Sequence, residues 1–183
     1  GGVKMEEDKR LYNEFILGNN DAFEQIMNKY RKDLIYFIQR IVKSFDVAED
    51  IAQDVFVYVL INKKEYDFKY TLKTYLYTIG RSRAINYLKK EKRCVSLNLE
   101  HQGNYEIEEI MFLNERKRNL KESINKLLPQ HQLVIYLAEI EELPYKEICK
   151  IMNKSMVQIK MLIYRARKNL KITLRKEWEK YEE

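Results

Sequence analysis

The chain has 183 residues, of which 45% are hydrophobic, enough for one ordinary domain or two small ones with buried cores. Only five glycines and two prolines are present, so few positions interrupt helices and we expect an almost entirely α-helical protein. The net charge of +6 suits a polyanionic partner, although a solvated surface explains it equally well. No apolar run approaches the ~20 residues of a membrane span and no secretory signal is visible, which predicts a cytoplasmic protein without direct membrane insertion.

The residues that most often bind metals or perform catalysis are scarce. Cys94 and Cys149 lie far apart and outside any Cys-x-x-Cys pair, which argues against a zinc site or a disulfide framework. His101 and His131 have no neighbour in sequence that indicates a catalytic triad, and both are predicted to be surface residues. No Gly-x-x-x-x-Gly-Lys nucleotide loop occurs. We therefore expect no metal, no cofactor and no enzymatic activity.

Apolar residues recur at helical spacing through the first half of the chain. A short stripe within residues 11–16 precedes a long helix that begins near Asp21, an acid suited to a cap or a first turn. Asp46 can begin a third helix in the same way. A fourth follows over residues 71–93. Residues 6–93 are therefore predicted to form one helical domain.

The helical pattern then fades and later resumes. Residues 94–117 are predicted to be a linker that is partly helical towards its end. Periodicity returns at Leu120, and Pro129 marks the first turn of a new helix, where proline is tolerated. The apolar positions of that helix are Leu133, Val134, Leu137 and Ile140. A second helical domain is therefore predicted over residues 118–180.

Residues 144–170 read as a short helix, a tight turn and a second, basic helix, the pattern of a DNA-reading helix-turn-helix. The first helix would pack Ile148, Ile151 and Met152 against Ile159, Leu162 or Ile163 of the second, which Ser155 can cap. A basic amphipathic core helix is the alternative. The candidate DNA contacts are Ser155, Met156, Gln158, Lys160, Met161, Tyr164, Arg165, Arg167, Lys168 and Lys171.

The predicted third helix carries a stripe of acidic residues. Helical spacing places on one face Asp46, Glu49, Asp50, Gln53 and Asp54. The apolar face is predicted to hold Val47, Ile51, Val55, Val59 and Leu60. Like charges this close destabilise a helix by a few tenths of a kcal/mol each, so the stripe favours a basic protein partner, although a merely solvated face stays open. No glycine-bearing calcium loop and no histidine accompanies it, so a metal site is not indicated.

Lysines and aromatic rings alternate between the third and fourth predicted helices, over residues 62–71. Stacking of an aromatic ring on an unpaired base stabilises the complex by about 1–3 kcal/mol per base, and lysines bind the phosphates. Together these contacts could offset the free-energy cost of extruding a base from a duplex. The candidates are Lys63, Lys64, Tyr66, Phe68, Tyr70, Lys73 and Tyr75. Some of these rings can instead belong to the core, which we expect for Tyr77.

Two stretches of the chain are strongly basic. Residues 81–93 hold six basic side chains against one acid, and residues 154–176 hold eight basic side chains and no acid. Two separated basic patches indicate two DNA contacts rather than one.

Together these motifs resemble the bacterial RNA polymerase sigma factors of the extracytoplasmic-function group, the two-domain kind within the sigma-70 family. Residues 21–30 resemble the opening motif of the family's first domain, and residues 48–56 are similar to its most specific signature. Residues 75–88 resemble the helix that melts and reads the minus-ten element, after a loop that captures a flipped base. Residues 127–129 and the helix around residues 165–167 resemble the domain that reads the minus-thirty-five element.

The resemblance implies an all-α fold in which a sigma region 2 bundle and a sigma region 4 helix-turn-helix are joined by a linker. It implies that the acidic helix docks on the clamp helices of the polymerase largest subunit, with the flap as a second polymerase contact. It adds Arg81, Ser82 and Arg83 to the minus-ten contacts. Many relatives are held inactive by a membrane-linked anti-sigma factor, and the resemblance allows such a partner here.

The chain departs from the family pattern at three places. Tyr75 stands where the family usually has tryptophan, and Ser82 stands where it usually has asparagine. Met161 and Leu162 replace a usual polar or basic pair. The resemblance therefore does not predict the promoter sequence that this chain reads.

Two other classes of protein fit part of the pattern. A dimeric helix-turn-helix regulator explains residues 144–170 but gives no role to the acidic helix or the aromatic loop. A helical protein-interaction adaptor explains only the acidic helix. The predicted function is a transcription initiation factor that binds core RNA polymerase and directs promoter recognition and strand opening.

Overall fold

A computed structural model describes residues 2–95 and 115–179, and within these two ranges the regular structure is helical throughout, without a strand. The predicted all-α fold is confirmed. The chain divides into two compact units, Gly1–Gly103 and Asn104–Glu183. Most of the predicted linker, with His101, lies outside the described residues, as does the side chain of Cys94. None of the described helices has the length and apolar character needed to cross a membrane.

The described residues of the first unit form four helices: α1 (Gly2–Ile16), α2 (Asn20–Val42), α3 (Phe45–Ile61) and α4 (Leu72–Val95). Helix α2 is central, because each of the other three packs against it. Asn19 caps α2 by accepting hydrogen bonds from the backbone N–H groups of Asp21 and Ala22. Ser44 caps α3 through the N–H of Val47. Asp21 and Asp46, the acids predicted at the starts of these helices, therefore lie in the first helical turn, just after the capping residues.

A close approach of α2 and α4 fixes the position of α4. The rings of Phe37 and Tyr77 stack with centroids 4.1 Å apart, and Tyr77 is buried as predicted. One turn later, a Cβ on Gly80 would lie 3.1 Å from Leu34 Cδ1 and 3.2 Å from Ile38 Cδ1. Only glycine permits this contact without displacing its neighbours, so the approach depends on residue 80.

Helix α1 is anchored to α2 through a buried carboxylate. Asp8 is 5% exposed and accepts hydrogen bonds from the hydroxyl of Tyr30 and from Lys29 Nζ, the latter at 2.7 Å. Burial and the bond to Asp8 raise the pKa of Tyr30, which keeps this phenol a donor. The partners satisfy a charge that would otherwise be costly to bury.

The second unit contains α5 (Glu115–Asn125), α6 (Pro129–Ile135), α7 (Tyr145–Met152) and α8 (Met156–Glu179). Pro129 occupies the first turn of α6, as predicted. Helix α6 continues as a π-helical turn over Tyr136–Ile140, in which the Glu141 N–H reaches the Tyr136 carbonyl. Ile140, an apolar position of the predicted helix, lies in this turn and is 64% exposed, so it does not belong to the core.

His131 is also placed differently from its prediction as a surface residue. It lies in α6 at 5% exposure, with its Nδ1 3.5 Å from Asn169 Nδ2 of α8. Burial lowers the pKa of this histidine, and the nearby Arg165 lowers it further. A neutral ring suits a position inside the α6–α8 contact.

Helices α7 and α8 form the predicted helix-turn-helix. Asn153 ends α7 in the left-handed conformation with φ 51°, a backbone state that asparagine tolerates better than most residues. The apolar residues predicted to pack between the two helices are all buried: Ile148, Ile151, Met152, Ile159, Leu162 and Ile163. The outward face of α8 is therefore open to a partner.

Candidate functional site

The acidic residues of α3 lie on its outward face. Asp46, Asp50, Gln53 and Asp54 are exposed, and the opposite face buries Ala48, Ile51, Ala52, Val55, Phe56 and Val59. The separation follows from the 3.6-residue period, which turns positions 46, 50, 53 and 54 to the same side. Among the residues that the structure describes, no group of three His, Cys, Asp or Glu side chains could hold a metal ion.

Two of the acids already have intramolecular cations. Glu49 is the least exposed of them and is paired with Arg31 of α2 at 2.5 Å. Asp54 lies 3.7 Å from Arg83 of α4, with its own side chain 68% exposed. Exposed ion pairs are worth only ~0–1 kcal/mol, so the Asp54 pair can open at little cost. Asp50 remains the central exposed carboxylate of this face.

The outward face of α3 changes character in its second half, which the sequence reasoning missed. Val57, Leu60 and Ile61 are 53%, 46% and 73% exposed. The prediction that Leu60 belongs to the core face is therefore wrong. Because Val57 and Ile61 follow Asp50 and Asp54 at helical spacing, extending the acidic stripe by two turns would have identified them. Acidic and apolar halves form one continuous surface, which we name the α3 face (residues 46, 49, 50, 53, 54, 57, 60 and 61).

The aromatic loop rests on a buried aromatic layer. Tyr66 is only 4% exposed, with its ring 4.8 Å from Tyr12 and 5.1 Å from Tyr75, and its hydroxyl donates to the Tyr70 carbonyl at 2.8 Å. This burial contradicts the prediction that Tyr66 offers a ring for base stacking. A ring enclosed on both sides has no free surface on which a base could stack, so Tyr66 instead supports the loop from beneath.

Phe68 is the unusual backbone position of this loop. Its φ of 57° is rare for an aromatic residue, and such a conformation costs of order 1–3 kcal/mol. The ring is held 4.6 Å from Tyr66 and 5.8 Å from Tyr12 and stays partly exposed. An Asx-type bond from the Lys69 N–H to Asp67 Oδ1, 3.0 Å long, completes the turn. Strain of this kind is found mainly at functional positions.

The lysines of the loop surround it on several sides. Lys63 Nζ lies 5.8 Å from the ring centroid of Phe15, and Lys69 Nζ lies 5.9 Å from that of Tyr70. Lys64 is exposed. Lys73 forms an ion pair with Asp33 at 3.0 Å, so it is less available to a phosphate than its position in the sequence indicates. Tyr70 and Tyr75 are partly exposed, and burial raises the pKa of Tyr75 to about 12.

The predicted DNA-reading residues of α4 occupy different environments. Ser82 is exposed, and Arg83 lies over the ring of Tyr58 at 5.4 Å. Arg81 is half-buried, and its Nε atom has no hydrogen-bond partner in the described part of the chain. Burial lowers the pKa of Arg81, because removing the guanidinium group from water disfavours its charged form. An anion at this position would relieve that cost.

Two predicted base-reading residues of α8 are engaged in a capping box. The Gln158 N–H donates to Ser155 Oγ at 3.3 Å, and the Ser155 N–H donates to Gln158 Oε1 at 2.9 Å. This reciprocal pair satisfies two backbone donors at the helix start. The side chains predicted for groove contact that remain outward are Met156, Lys160, Met161, Tyr164 and Arg165.

Arg167 has a partner within the second unit. Its Nε and Nη2 atoms donate to Glu139 Oε1 at 2.9 and 2.6 Å. The bond to Glu139 raises the pKa of Arg167 and connects α8 to the π-helical turn. Arg167 therefore holds elements of the second unit together, whereas the sequence predicted that it contacts a phosphate.

Arg167→Gln tests which role is correct. We expect the slope of log K against log salt for duplex DNA binding to stay unchanged, because a residue bound to Glu139 releases no counterion. The exposed Lys168 supplies the matched comparison, and Lys168→Gln is expected to reduce the slope by about 0.9. A slope change in Arg167→Gln equal to that in Lys168→Gln would show a phosphate contact instead.

Comparison with known proteins assigns the chain to a family. The family model Sigma-70 region 2 matches residues 26–94, and Sigma-70, region 4 matches residues 117–170. RNA polymerase sigma factor YlaC of Bacillus subtilis is 27% identical over 167 residues, covering 88% of this chain and 96% of that protein. ECF RNA polymerase sigma factor SigW of the same organism is 28% identical over 171 residues, covering 86% and 91%.

A solved structure agrees in fold. The sigma factor RpoE of Bartonella quintana, in complex with the anti-sigma factor NepR, matches with a TM-score of 0.72 and 22% identity, over 84% of this chain and 96% of that chain. Two helical units, one with an acidic helix face and the other with a helix-turn-helix, are typical of a transcription factor. The chain belongs to the extracytoplasmic-function group of the sigma-70 family and is a transcription initiation factor.

Proposed function

We propose that this chain binds core RNA polymerase through the α3 face and directs it to promoters read by the aromatic loop, α4 and α8. The α3 face carries the proposal, because it holds carboxylates and then apolar side chains on a surface that the described residues of its own unit leave largely exposed. A basic and apolar helical partner complements such a surface, and the clamp helices of the polymerase largest subunit are the partner we propose. The polymerase flap is proposed as the contact of the second unit.

The minus-ten contacts are proposed in the loop and on α4. Phe68 and Tyr70 offer partly exposed rings, and Tyr75 stands beside them on the buried Tyr66. Lys63 and Lys64 can meet phosphates, as can the partly exposed Arg81. A rigid aromatic support lowers the entropy cost of stacking an extruded base. Ser82 and Arg83 extend this surface along α4.

The minus-thirty-five contacts are proposed on α8. Its outward face presents Lys160, Met161, Tyr164, Arg165 and Lys168, while Ser155 and Gln158 contribute by starting the helix at a defined residue. Joining two weak DNA contacts on one chain raises the effective concentration of each. The division that we propose is residues 6–93 for region 2, 94–117 for the linker and 118–180 for region 4.

Other features of the proposal follow from this role. The polymerase performs the chemistry, so the chain is proposed to have no catalytic activity and to act in the cytoplasm, where DNA and polymerase meet. The related RpoE was solved with the anti-sigma factor NepR, which supports a similar inhibitory partner here. Such a partner would be membrane-linked if the signal comes from outside the cell.

Affinity capture of core polymerase tests the docking step. Full-length tagged chain is mixed with core RNA polymerase of Bacillus subtilis, and retention of the largest subunit is measured. We expect stoichiometric capture that a fivefold molar excess of untagged chain reduces to roughly one sixth, since both forms compete with equal affinity. A dimeric regulator or an adaptor of other proteins would leave the polymerase in the flow-through, and that outcome would contradict the proposal.

A further inference from the structure

The outward face of α8 is apolar at its centre. Val157, Met161 and Tyr164 follow one another at i, i+4 and i+7 and are 71%, 46% and 64% exposed. They lie opposite the buried residues Ile159 and Ile163. If α8 inserts into a DNA groove, the side chains that point most directly at the base edges are therefore Val157, Met161 and Tyr164.

The polar residues near the start of α8 have other tasks. Ser155 and Gln158 bind each other's backbone, and the remaining early polar side chain, Lys160, stands to one side of the apolar stripe. Hydrogen-bond readout usually needs an Arg, Lys, Asn or Gln side chain aimed at a base edge. The first turns of α8 present no Asn or Arg before residue 165, and their glutamine is in the capping box.

Cations flank the stripe where phosphates would run. Lys160 lies beside it, and Arg165 and Lys168 continue on the exposed surface of α8. An apolar stripe between cations matches the major groove of duplex DNA, in which the only apolar group of the base edges is the thymine 5-methyl. A protein partner would complement the same surface only if it carried acidic side chains on both sides of an apolar strip, whereas every DNA duplex has phosphates on both sides of its groove.

We propose that α8 reads its DNA element through thymine methyl groups packed against Val157 and Met161, with the Tyr164 ring alongside. The inference rests on the proposed function, because it names the base chemistry recognised by the same helix. Val157 is the principal new residue, since nothing in its sequence motif marked it. Burying one methyl-sized group is worth a factor of about four in affinity, which sets the expected effect per thymine.

Replacing thymine by deoxyuridine tests the proposal. Polymerase carrying this chain is used to enrich a randomised duplex library, and the upstream element of the enriched DNA is resynthesised with single deoxyuridines, which lack only the methyl. We expect a loss of about fourfold in affinity at two or more positions. Val157→Ala and Met161→Ala each abolish the discrimination at one of them, so that thymine and deoxyuridine bind equally.

The controls separate the inference from the proposed function. Ile172→Ala, an exposed apolar residue further along α8, retains the full thymine preference. The methyl readout is wrong if deoxyuridine weakens binding at no position of the enriched element. It is also wrong if the Val157→Ala variant still prefers thymine at every position. Either result leaves the sigma role intact. If no element is enriched because no polymerase complex forms, both the function and the inference are wrong. If Val157→Ala weakens only the capture of a protein inhibitor, the stripe is a protein-binding surface and the inference is wrong.

Discussion

Asp50→Lys is expected to weaken binding to core polymerase by about 100-fold, the largest functional effect of any single change considered. Asp50 is exposed at the centre of the α3 face, with acidic neighbours before it and apolar residues after it. A lysine there would place a cation against the basic helix that we propose as partner, and like-charge contacts at an interface cost several kcal/mol. Competition binding with labelled chain and core polymerase measures the change.

Glu24→Lys is the matched control for Asp50→Lys. Glu24 is also an exposed acid on a helix of the first unit, but it belongs to α2 and not to the α3 face. We expect Glu24→Lys to bind core polymerase like the parent chain, with both variants retaining its helical circular dichroism. Equal binding by Asp50→Lys and the parent would show that the α3 face is not the docking surface. The double change of Asp50 and Asp54 to lysine is expected to abolish binding.

Gly80→Leu is expected to give the largest loss of stability. Even a methyl group on residue 80 would lie 3.1–3.3 Å from side-chain atoms of Leu34 and Ile38, so a leucine forces α4 away from α2. Overpacking typically costs 1–3 kcal/mol, and this site combines it with a helix–helix contact, so we expect about 3 kcal/mol. For a unit of this size the melting temperature falls by roughly 12 °C or more, which differential scanning calorimetry measures.

Asn86→Leu provides the control for Gly80→Leu. Asn86 is exposed on the same helix, so the same side chain enters without a steric conflict. We expect its melting temperature to stay within ~2 °C of the parent, because exposed substitutions usually change stability by less than about 0.5 kcal/mol. A Gly80→Leu variant as stable as Asn86→Leu would mean that α2 and α4 are not closely packed at this point.

The fold could be predicted from the sequence to a large extent. Apolar residues at a 3.6-residue period identified the helices, and capping residues with Pro129 placed their starts to within a few positions. The helix-turn-helix core was predicted residue by residue, because two amphipathic helices joined by a short turn have few ways to pack. The π-helical turn at Tyr136–Ile140 was missed, since an insertion of this kind leaves the apolar spacing nearly unchanged over one turn.

The candidate site was less predictable, because its members depend on tertiary contacts. Tyr66 looks like Phe68 in the sequence, but only one of the two rings is enclosed by Tyr12 and Tyr75. Tyr12 of α1, more than fifty residues earlier in the chain, determines which ring is buried, and no local sequence pattern indicates that contact. Gln158 has the spacing of a capping box and also that of a base-reading residue, and the structure shows that the cap uses its side chain.

Run-off transcription tests the central claim most directly. Core RNA polymerase, the purified full-length chain and linear templates carrying the enriched DNA are combined, and the transcript lengths are measured. We predict a discrete product that begins at one start site, requires the chain, and disappears with Asp50→Lys but persists with Glu24→Lys. A product that forms equally without the chain, or no product from a template that the chain and polymerase bind together, would contradict the account.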